Sequence, residues 1–283
     1  MTNQERQQLA VFACKVRMGI IEGTHSAKAG HPGGSLSATE MFTYLYNKEM
    51  RIDPANPKWD DRDRFVLSKG HTAPGLYSTL ANRGFFPVED LKTLRQIGSY
   101  LQGHPNMNTV PGVDMSTGSL GQGVSVAAGM AKAAKFQNRD VNVYTLLGDG
   151  EIAEGEVWEA FLFAAHYKLD NFCAVIDLNG LQIDGPTKDV MNTAPVSDKM
   201  AAFGFNVVEI DGHSYDEIEA AFAGFKACEG KPTAILMKTT KGKGDSFMLN
   251  SVDWHGKAPN DAEYEVAMGE LRAQLAELEA AHE

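Results

Sequence analysis

Five short runs rich in β-branched and aromatic residues recur along the chain, and helical patterns separate them. Each run is almost continuously apolar, which is typical of strands buried on both faces of a parallel sheet. Strands that alternate with helices predict an α/β fold, here a doubly wound, mostly parallel sheet flanked by helices. The five runs are Arg64–Leu67, Val143–Leu147, Phe172–Leu178, Asn206–Ile210 and Thr233–Lys238.

Helical periodicity is clearest at the two ends of the chain. Near the start, Leu9, Phe12, Val16 and Ile20 recur every three or four residues, as on an amphipathic helix. Near the end, an apolar seam predicts a helix over about residues 261–281 that packs against the domain or a partner. The seam consists of Tyr264, Met268, Leu271, Leu275 and Leu278.

Three internal segments are also predicted to be helical, namely Ser37–Tyr46, Pro74–Asn82 and the alanine-rich Gly121–Phe136. The 283 residues contain no internal repeat and no Ser/Gly linker. We therefore expect a single domain over residues 1–283.

The charge balance argues against two classes of partner. The chain has 26 basic and 37 acidic residues, a net charge of −11, whereas nucleic-acid and anionic-membrane binders need basic surfaces. No apolar run approaches the roughly 20 residues of a membrane span. Three cysteines without a CxxC pair argue against a disulfide framework, so we expect a reducing, cytoplasmic location.

The strongest local signal is Gly148-Asp149-Gly150-Glu151, where a buried run meets a Gly-Asp-Gly turn. Asn179 follows the next run, 30 residues after Asp149. Ligands of open α/β sheets bind beyond the carboxyl ends of the strands. Either residue alone is more simply a helix cap or a turn residue. As a pair on neighbouring strand ends they favour a site for Mg²⁺ or Ca²⁺, which prefer oxygen ligands.

Glycine stands beside five of the eight histidines, which lets both backbone and imidazole approach a ligand closely. For His213 an ordinary turn is the simpler interpretation. The spacing of the others is too wide to favour zinc. These others are His31, His71, His104 and His255.

Two glycine-rich segments lie outside the predicted strands. Gly98–Gly123 is long for a connection, and long ordered loops are usually functional. Lys241-Gly242-Lys243-Gly244 lacks the spacing of a phosphate loop, so we expect a flexible basic loop there.

Taken together, these motifs resemble the diphosphate-binding half of transketolase, a thiamine-diphosphate enzyme, over nearly the whole chain. Gly-Asp-Gly with a downstream asparagine occurs in thiamine-diphosphate enzymes in general, whereas the order of the histidine motifs is specific to transketolases. The resemblance rests on Ala29-Gly30-His31-Pro32-Gly33-Gly34, Leu67-Ser68-Lys69-Gly70-His71, Gly103-His104-Pro105, Thr117-Gly118-Ser119-Leu120-Gly121-Gln122-Gly123, Gly148-Asp149-Gly150-Glu151, Asn179 and Asp253-Trp254-His255-Gly256-Lys257-Ala258-Pro259.

The resemblance implies a role for each matching position. Asp149, Asn179 and the backbone carbonyl of Leu181 would bind the metal, with cofactor oxygens completing its octahedron. The cofactor-binding positions are His71, Gly118, Leu120, Gly150, Glu151, Ile183 and His255. The catalytic positions are His31, His104, His255 and Glu154. The histidines would hydrogen-bond the sugar as neutral imidazoles, and Glu154 would meet the partner's glutamate at the subunit interface.

The chain also departs from the family. A single-chain transketolase carries two further domains, and its pyrimidine-binding domain supplies the glutamate that activates the cofactor. The missing half of the enzyme also supplies basic residues that bind the sugar phosphate. No residue here can be assigned the role of the activating glutamate. The resemblance therefore implies the N-terminal subunit of a split transketolase, completed by a C-terminal subunit in a two-plus-two heterotetramer.

The implied activity is that of a transferase. It would move a two-carbon ketol unit from a ketose phosphate to an aldose phosphate, with thiamine diphosphate and Mg²⁺ (or Ca²⁺) as cofactors. A pentose phosphate role is the default. The alternatives are an α-subunit of the 2-oxo acid dehydrogenase type, a deoxyxylulose phosphate synthase type, and a non-catalytic regulatory subunit. The Gly-His-Pro pair and Trp254-His255-Gly256 oppose the first, and His31-Pro32-Gly33-Gly34 fits the second poorly. The intact Asp149–Asn179 pair and the five matching histidines oppose the third.

Overall fold

A five-stranded parallel sheet organises the residues 1–280 that the computed structural model describes. The strands lie in the order β1-β2-β3-β7-β6, so the chain crosses over between non-consecutive neighbours. A separate two-stranded antiparallel hairpin, β4–β5, follows β3. The strands are β1 (Arg64–Leu67), β2 (Val143–Gly148), β3 (Phe172–Leu178), β4 (Leu181–Gln182), β5 (Gly185–Pro186), β6 (Asn206–Asp211) and β7 (Thr233–Lys238).

All five predicted strands are confirmed, and β2 and β6 each extend one residue further than predicted. β2 and β3 are parallel neighbours, with Val143 paired to Phe172 and Gly148 paired to Asp177. The residues that follow these strands, Asp149 and Asn179, therefore lie at the same edge of the sheet.

Helices cover both faces of the sheet. They are α1 (Asn3–Ala27), α2 (Pro32–Ser37), α3 (Thr39–Tyr44), α4 (Ala73–Asn82), α5 (Gln122–Phe136), α6 (Gly155–His166), α7 (Thr187–Val190), α8 (Val196–Ala202), α9 (Tyr215–Ala227) and α10 (Asp261–Ala280). Short 3₁₀ turns occur at Gly70–Thr72, Val88–Thr93, Glu151–Ala153 and Asp253–His255, and a π-helical turn at Leu45–Glu49.

The strands contribute side chains to two hydrophobic cores, one on each face of the sheet, as expected when successive side chains point to opposite faces. On β2, Tyr144 and Leu146 join the core that includes α3, α4 and α9. Val143 and Leu147 join the core that includes α5, α6 and α8. This distribution confirms the doubly wound sheet flanked by helices.

The apolar seam of the C-terminal helix packs on the body of the protein. Met268 and Leu271 of α10 are buried in a third core together with Cys14 and Ile20 of α1. The predicted helix is confirmed up to Ala280, and residue 281 lies outside the described part of the chain.

The predicted helix at Ser37–Tyr46 is wrong in its bounds. The segment forms two helices, because Ala38 leaves the helical region with φ −97° and ψ 8°. The first helix begins earlier, at Pro32, where the fixed φ of proline suits the first helical turn. None of the helices within residues 1–280 combines the length and apolar character needed to cross a membrane.

Candidate active site

A cavity of about 320 Å³ lies beyond the carboxyl ends of the strands, where ligands of open α/β sheets bind. Its wall contains every residue predicted to bind the metal or the cofactor, together with His31. Two of the predicted catalytic residues, His104 and Glu154, lie outside that wall. The predicted residues that line it are His31, His71, Gly118, Leu120, Asp149, Gly150, Glu151, Asn179, Leu181, Ile183 and His255.

Asp149 and Asn179 lie side by side at this edge of the sheet. The Asp149 carboxylate accepts hydrogen bonds from the backbone N–H of Gly150, at 2.9 Å, and of Gly180, at 2.6 Å. Burial raises the pKa of Asp149 to about 6, and the charge of Asp177 adds to the rise. A buried carboxylate of this kind is stabilised by a cation.

Asp177 is a buried carboxylate that holds Lys69 and Asn179 of the cavity wall in place. Its side chain is fully buried and accepts hydrogen bonds from Ser37 at 2.6 Å and from the ammonium of Lys69 at 2.6 Å. It also accepts from the Asn179 amide nitrogen at 3.0 Å, which fixes the orientation of that amide. The oxygen of the Asn179 amide accepts from the backbone N–H of Leu181 at 3.1 Å. No local sequence pattern indicates the pair Lys69–Asp177, because 108 residues separate its members.

Glu151 links three segments around the cavity by hydrogen bonds. Its carboxylate accepts hydrogen bonds from Ser68 at 2.5 Å and from the backbone N–H of Gly121 and of Gly148, both at 3.0 Å. The side chain is 2% exposed, and burial raises its pKa. Glu151 thus lines the cavity with both carboxylate oxygens already engaged by the protein.

Three histidines from distant parts of the chain meet across the cavity. The ring centroids of His31, His71 and His255 lie between 5.1 and 5.5 Å apart. Burial lowers the pKa of His31 to about 4 and that of His255 to about 3, and nearby positive charges add to both shifts. Burial also lowers the pKa of His71 well below its usual value. All three imidazoles are therefore neutral near pH 7.

Lys241 belongs to the cavity, so the prediction of a flexible basic loop at residues 241–244 is wrong for this residue. Its side chain is only 2% exposed. Its ammonium donates to the backbone carbonyl of Leu181 at 3.2 Å and to Nδ1 of His255 at 2.8 Å. Burial lowers the pKa of Lys241 to about 8, so the amine still carries a proton near pH 7. Lysine is almost never fully buried, and no local pattern marked it.

His104 lies next to the cavity, against Gly118. A Cβ on Gly118 would approach the His104 ring to 3.1 Å, and the φ of +156° also favours glycine there. Burial lowers the pKa of His104, and the charge of Arg95 adds to the shift. Arg95 also contributes to the lowered pKa of His31. Arg95 is exposed, and its part in the electrostatics of these histidines was not predicted from the sequence.

Glu154 is exposed and does not line the cavity. It is exposed at the start of α6, and within residues 1–280 its side chain has no ion pair and no hydrogen bond. The same helix exposes Leu162 by 57% and Phe163 by 38%, and Tyr167 just beyond it by 43%. Exposed apolar side chains of this size are typical of a surface that another subunit covers.

The residues of the cavity fit a metal-bound diphosphate. Two buried polar atoms in the wall, Nδ1 of His31 and Oε1 of Gln182, lack a hydrogen-bond partner within the described residues. Gly150 leaves space beside Gln182, whose Cβ lies 3.0 Å from where a Cβ on Gly150 would stand. No group of three His, Cys, Asp or Glu side chains in residues 1–280 is placed to hold a metal. A metal here therefore needs amide, carbonyl and phosphate oxygens besides Asp149.

The sequence matches the family model "Transketolase, thiamine diphosphate binding domain" over residues 9–275. It is 44% identical over 259 residues to the 6-deoxy-6-sulfo-D-fructose transketolase subunit SqwG of Clostridium sp. (strain MSTE9), covering 92% of this chain and 94% of that protein. It is 43% identical over 265 residues to one of the subunits of the apulose-4-phosphate transketolase of Phocaeicola vulgatus, covering 94% of each.

Solved transketolases share the fold. The structure of transketolase from Campylobacter jejuni superposes with a TM-score of 0.86 and 34% identity, covering 100% of this chain and 46% of that chain. This chain thus spans less than half of the solved enzyme. From the extent of the family match, the identity to these relatives and the arrangement of the cavity, we conclude that the chain belongs to the transketolase family, as its thiamine diphosphate binding domain.

Proposed function

We propose that this chain is the diphosphate-binding subunit of a split transketolase, which transfers a two-carbon ketol unit from a ketose to an aldose. The observation that carries the proposal is the meeting of Asp149, Asn179 and the Leu181 carbonyl with neutral histidines in one cavity. The relatives named above as transketolase subunits favour this activity over the 2-oxo acid dehydrogenase and deoxyxylulose phosphate synthase types.

The chain would hold the cofactor through its diphosphate end. Asp149, the Asn179 amide oxygen and the Leu181 carbonyl would bind a divalent cation that prefers oxygen, Mg²⁺ or Ca²⁺. His71, Gly118, Gly150 and His255 would contact the diphosphate region. Lys241 would add a positive charge to the same region, and Glu151 would keep the surrounding loops in place. Leu120 and Ile183, which are 37% and 62% exposed, would give apolar contact to the rings of the cofactor.

Thiamine diphosphate, when bound, supplies the carbanion chemistry that cleaves the bond between C2 and C3 of a ketose. The histidines of this chain would orient the sugar. Because Lys241 donates to Nδ1 of His255, the proton of that neutral ring lies on Nε2. Nε2–H can then donate to a sugar oxygen as negative charge develops on it. His31 and His104 would bind further hydroxyl groups.

A second polypeptide would complete the site. The chain spans 46% of a solved single-chain transketolase, and no residue of it can be assigned to protonate the aminopyrimidine ring. The exposed apolar residues Leu162, Phe163 and Tyr167 support association with a partner, and the exposed Glu154 would meet the partner's glutamate. We propose a heterotetramer of two copies of each subunit.

The substrates would be sugar phosphates, with the anionic group bound mainly by the other subunit. We further propose that residues 1–283 fold as one domain and that the enzyme works in the cytoplasm. Cys14, Cys173 and Cys228 are free thiols in the described structure, which suits a reducing compartment.

Cofactor binding tests the proposal. The chain, purified with its co-eluting partner, is titrated with thiamine diphosphate while tryptophan fluorescence is followed, because Trp254 lies next to His255. We expect saturable binding that needs Mg²⁺ or Ca²⁺ and is lost with EDTA. Thiamine monophosphate is the control ligand and should bind far more weakly. Equal binding of the two thiamine phosphates, or no binding at all, contradicts the proposal.

A further inference from the structure

The short turn that carries Lys241 is held at both of its ends. On one side, the backbone N–H of Thr240 donates to Nε2 of His213 at 2.9 Å. On the other side, the backbone carbonyl of Lys243 accepts from Nε of Arg17 at 3.0 Å. Lys241, between these two points, directs its ammonium into the cavity.

The two side chains that hold the turn, those of His213 and Arg17, both donate hydrogen bonds to the carboxylate of Glu40 on α3. One oxygen of Glu40 accepts from Nδ1 of His213 at 2.9 Å, and the other accepts from the guanidinium of Arg17. The carboxylate of Glu40 is buried, and so is the guanidinium of Arg17. The three side chains come from α1, α3 and the β6–α9 connection, and none of them lines the cavity.

This network fixes the tautomer of His213. Since Nε2 accepts from Thr240, the ring proton lies on Nδ1 and is donated to Glu40. Burial raises the pKa of Glu40, but the charge of Arg17 and the hydrogen bond from His213 outweigh it and lower the pKa to about 2. The carboxylate is therefore ionised at any pH at which the enzyme works. His213 is thus part of a specific hydrogen-bonded network, whereas its sequence context favoured an ordinary turn.

We propose that His213 is a positioning residue that places Lys241 in the cavity: its ring, oriented by Glu40, holds the Thr240 end of the turn. Loss of the hydrogen bond to Thr240 releases this end of the turn, and the ammonium then no longer faces the Leu181 carbonyl and His255. The consequence for cofactor affinity rests on the proposed function, whereas the positioning itself does not.

Two substitutions of His213 each remove one of its two contacts, either the one with Thr240 or the one with Glu40. In His213→Asn, the amide nitrogen can replace Nδ1 as donor to Glu40, but no acceptor reaches Thr240. In His213→Gln, the amide oxygen can replace Nε2 as acceptor for Thr240. His213 is partly exposed, with 14% of its side chain accessible, so both full-length variants are expected to fold. The melting temperatures of both variants are first compared with that of the unmodified protein, to check that the variants fold.

Amide hydrogen exchange and chemical labelling of Lys241 are then measured on the cofactor-free chain. A neutral hydrogen bond contributes up to about 1.5 kcal/mol, so its loss corresponds to about tenfold. In His213→Asn we expect exchange at Thr240 and acylation of Lys241 to rise about tenfold, with exchange at the buried strand residue Val175 unchanged. In His213→Gln we expect both to stay within about threefold of the unmodified protein.

The outcomes decide between positioning and a general structural role. Unchanged exchange at Thr240 and unchanged labelling of Lys241 in His213→Asn overturn the proposal. So does a parallel rise at Val175, which would mean global destabilisation. Thiamine diphosphate affinity with Mg²⁺ should weaken in His213→Asn more than in His213→Gln. If the unmodified protein binds no thiamine diphosphate, the proposed function fails, and the exchange and labelling data still decide the role of His213.

Discussion

The ammonium of Lys241 lies 2.8 Å from Nδ1 of His255, so a buried lysine fixes the tautomer of a histidine in the cavity. Burial lowers the pKa of His255 to about 3 and that of Lys241 to about 8. Near pH 7 the lysine is therefore the donor and the imidazole the acceptor. We expect ¹⁵N NMR of the protein at pH 7 to show the His255 proton on Nε2. A proton on Nδ1 would contradict the hydrogen bond and the proposed role of Nε2–H.

Replacing Lys241 by Met should weaken the binding of thiamine diphosphate. A hydrogen bond to a charged group contributes about 1.5–3 kcal/mol, which corresponds to about 10- to 100-fold in the dissociation constant. Lys243→Met is the matched control, because Lys243 is an exposed lysine in the same loop. Isothermal titration with Mg²⁺ present measures both variants. Equal effects of the two substitutions would mean that Lys241 acts only through the general charge of the loop.

Replacing Asp149 by Ala should abolish metal-dependent cofactor binding. Substitutions that only support a metal ligand cost about 10- to 100-fold in metal affinity, so removal of the ligand should cost at least about 100-fold. Asp198→Ala, at an exposed carboxylate on α8 outside the cavity, should leave binding unchanged. Titration with Mg²⁺ at fixed thiamine diphosphate gives the comparison. Unchanged affinity in Asp149→Ala would remove Asp149 from the ligand set.

Replacing Asp177 by Asn should destabilise the fold. The substitution leaves the ammonium of Lys69 buried without its counter-charge, which costs about 3–5 kcal/mol. Asp140→Asn is the control, because the ion pair of Asp140 with Arg51 lies at the surface, where pairs contribute about 0–1 kcal/mol. Urea unfolding of the cofactor-free chain measures both. A loss below about 1 kcal/mol in Asp177→Asn would show that Lys69 finds another partner or water.

The buried histidines should make stability depend on pH. The pKa values of His31 and His255 in the folded chain, about 4 and about 3, lie below the ordinary 6.5. As the pH falls, the unfolded chain takes up these protons first, so their contribution is complete above about pH 6.5 and declines towards pH 4. The double variant His31→Gln/His255→Asn should therefore lose less stability than the unmodified chain between pH 7.5 and about pH 5.

Urea unfolding at several pH values measures this difference, and subtracting the two profiles removes the carboxylates common to both proteins. His166→Gln is the control, because His166 is exposed on α6 outside the cavity. Identical pH profiles for the double variant and the unmodified chain would contradict the burial of these rings as neutral imidazoles.

Much of this molecule could be predicted because strong local patterns coincide with its core. The apolar runs at β2 and β3 locate the neighbouring strand ends, and these in turn locate Asp149 and Asn179. Lys241 and the Lys69–Asp177 pair were not assigned a role from the sequence, because they depend on contacts between segments that are distant along the chain. A buried lysine is also the opposite of what the residue type indicates.

The central claim is that this chain works as one half of a ketol-transferring enzyme. Its most direct test is to capture the tagged chain from its native lysate with Mg²⁺ and thiamine diphosphate. The eluate is then assayed for ketol transfer from xylulose 5-phosphate to ribose 5-phosphate. We predict activity together with a co-eluting second polypeptide, and loss of that activity when the captured chain carries Asp149→Ala. Full activity of the chain alone, or neither a partner nor activity with any ketose, would contradict the account.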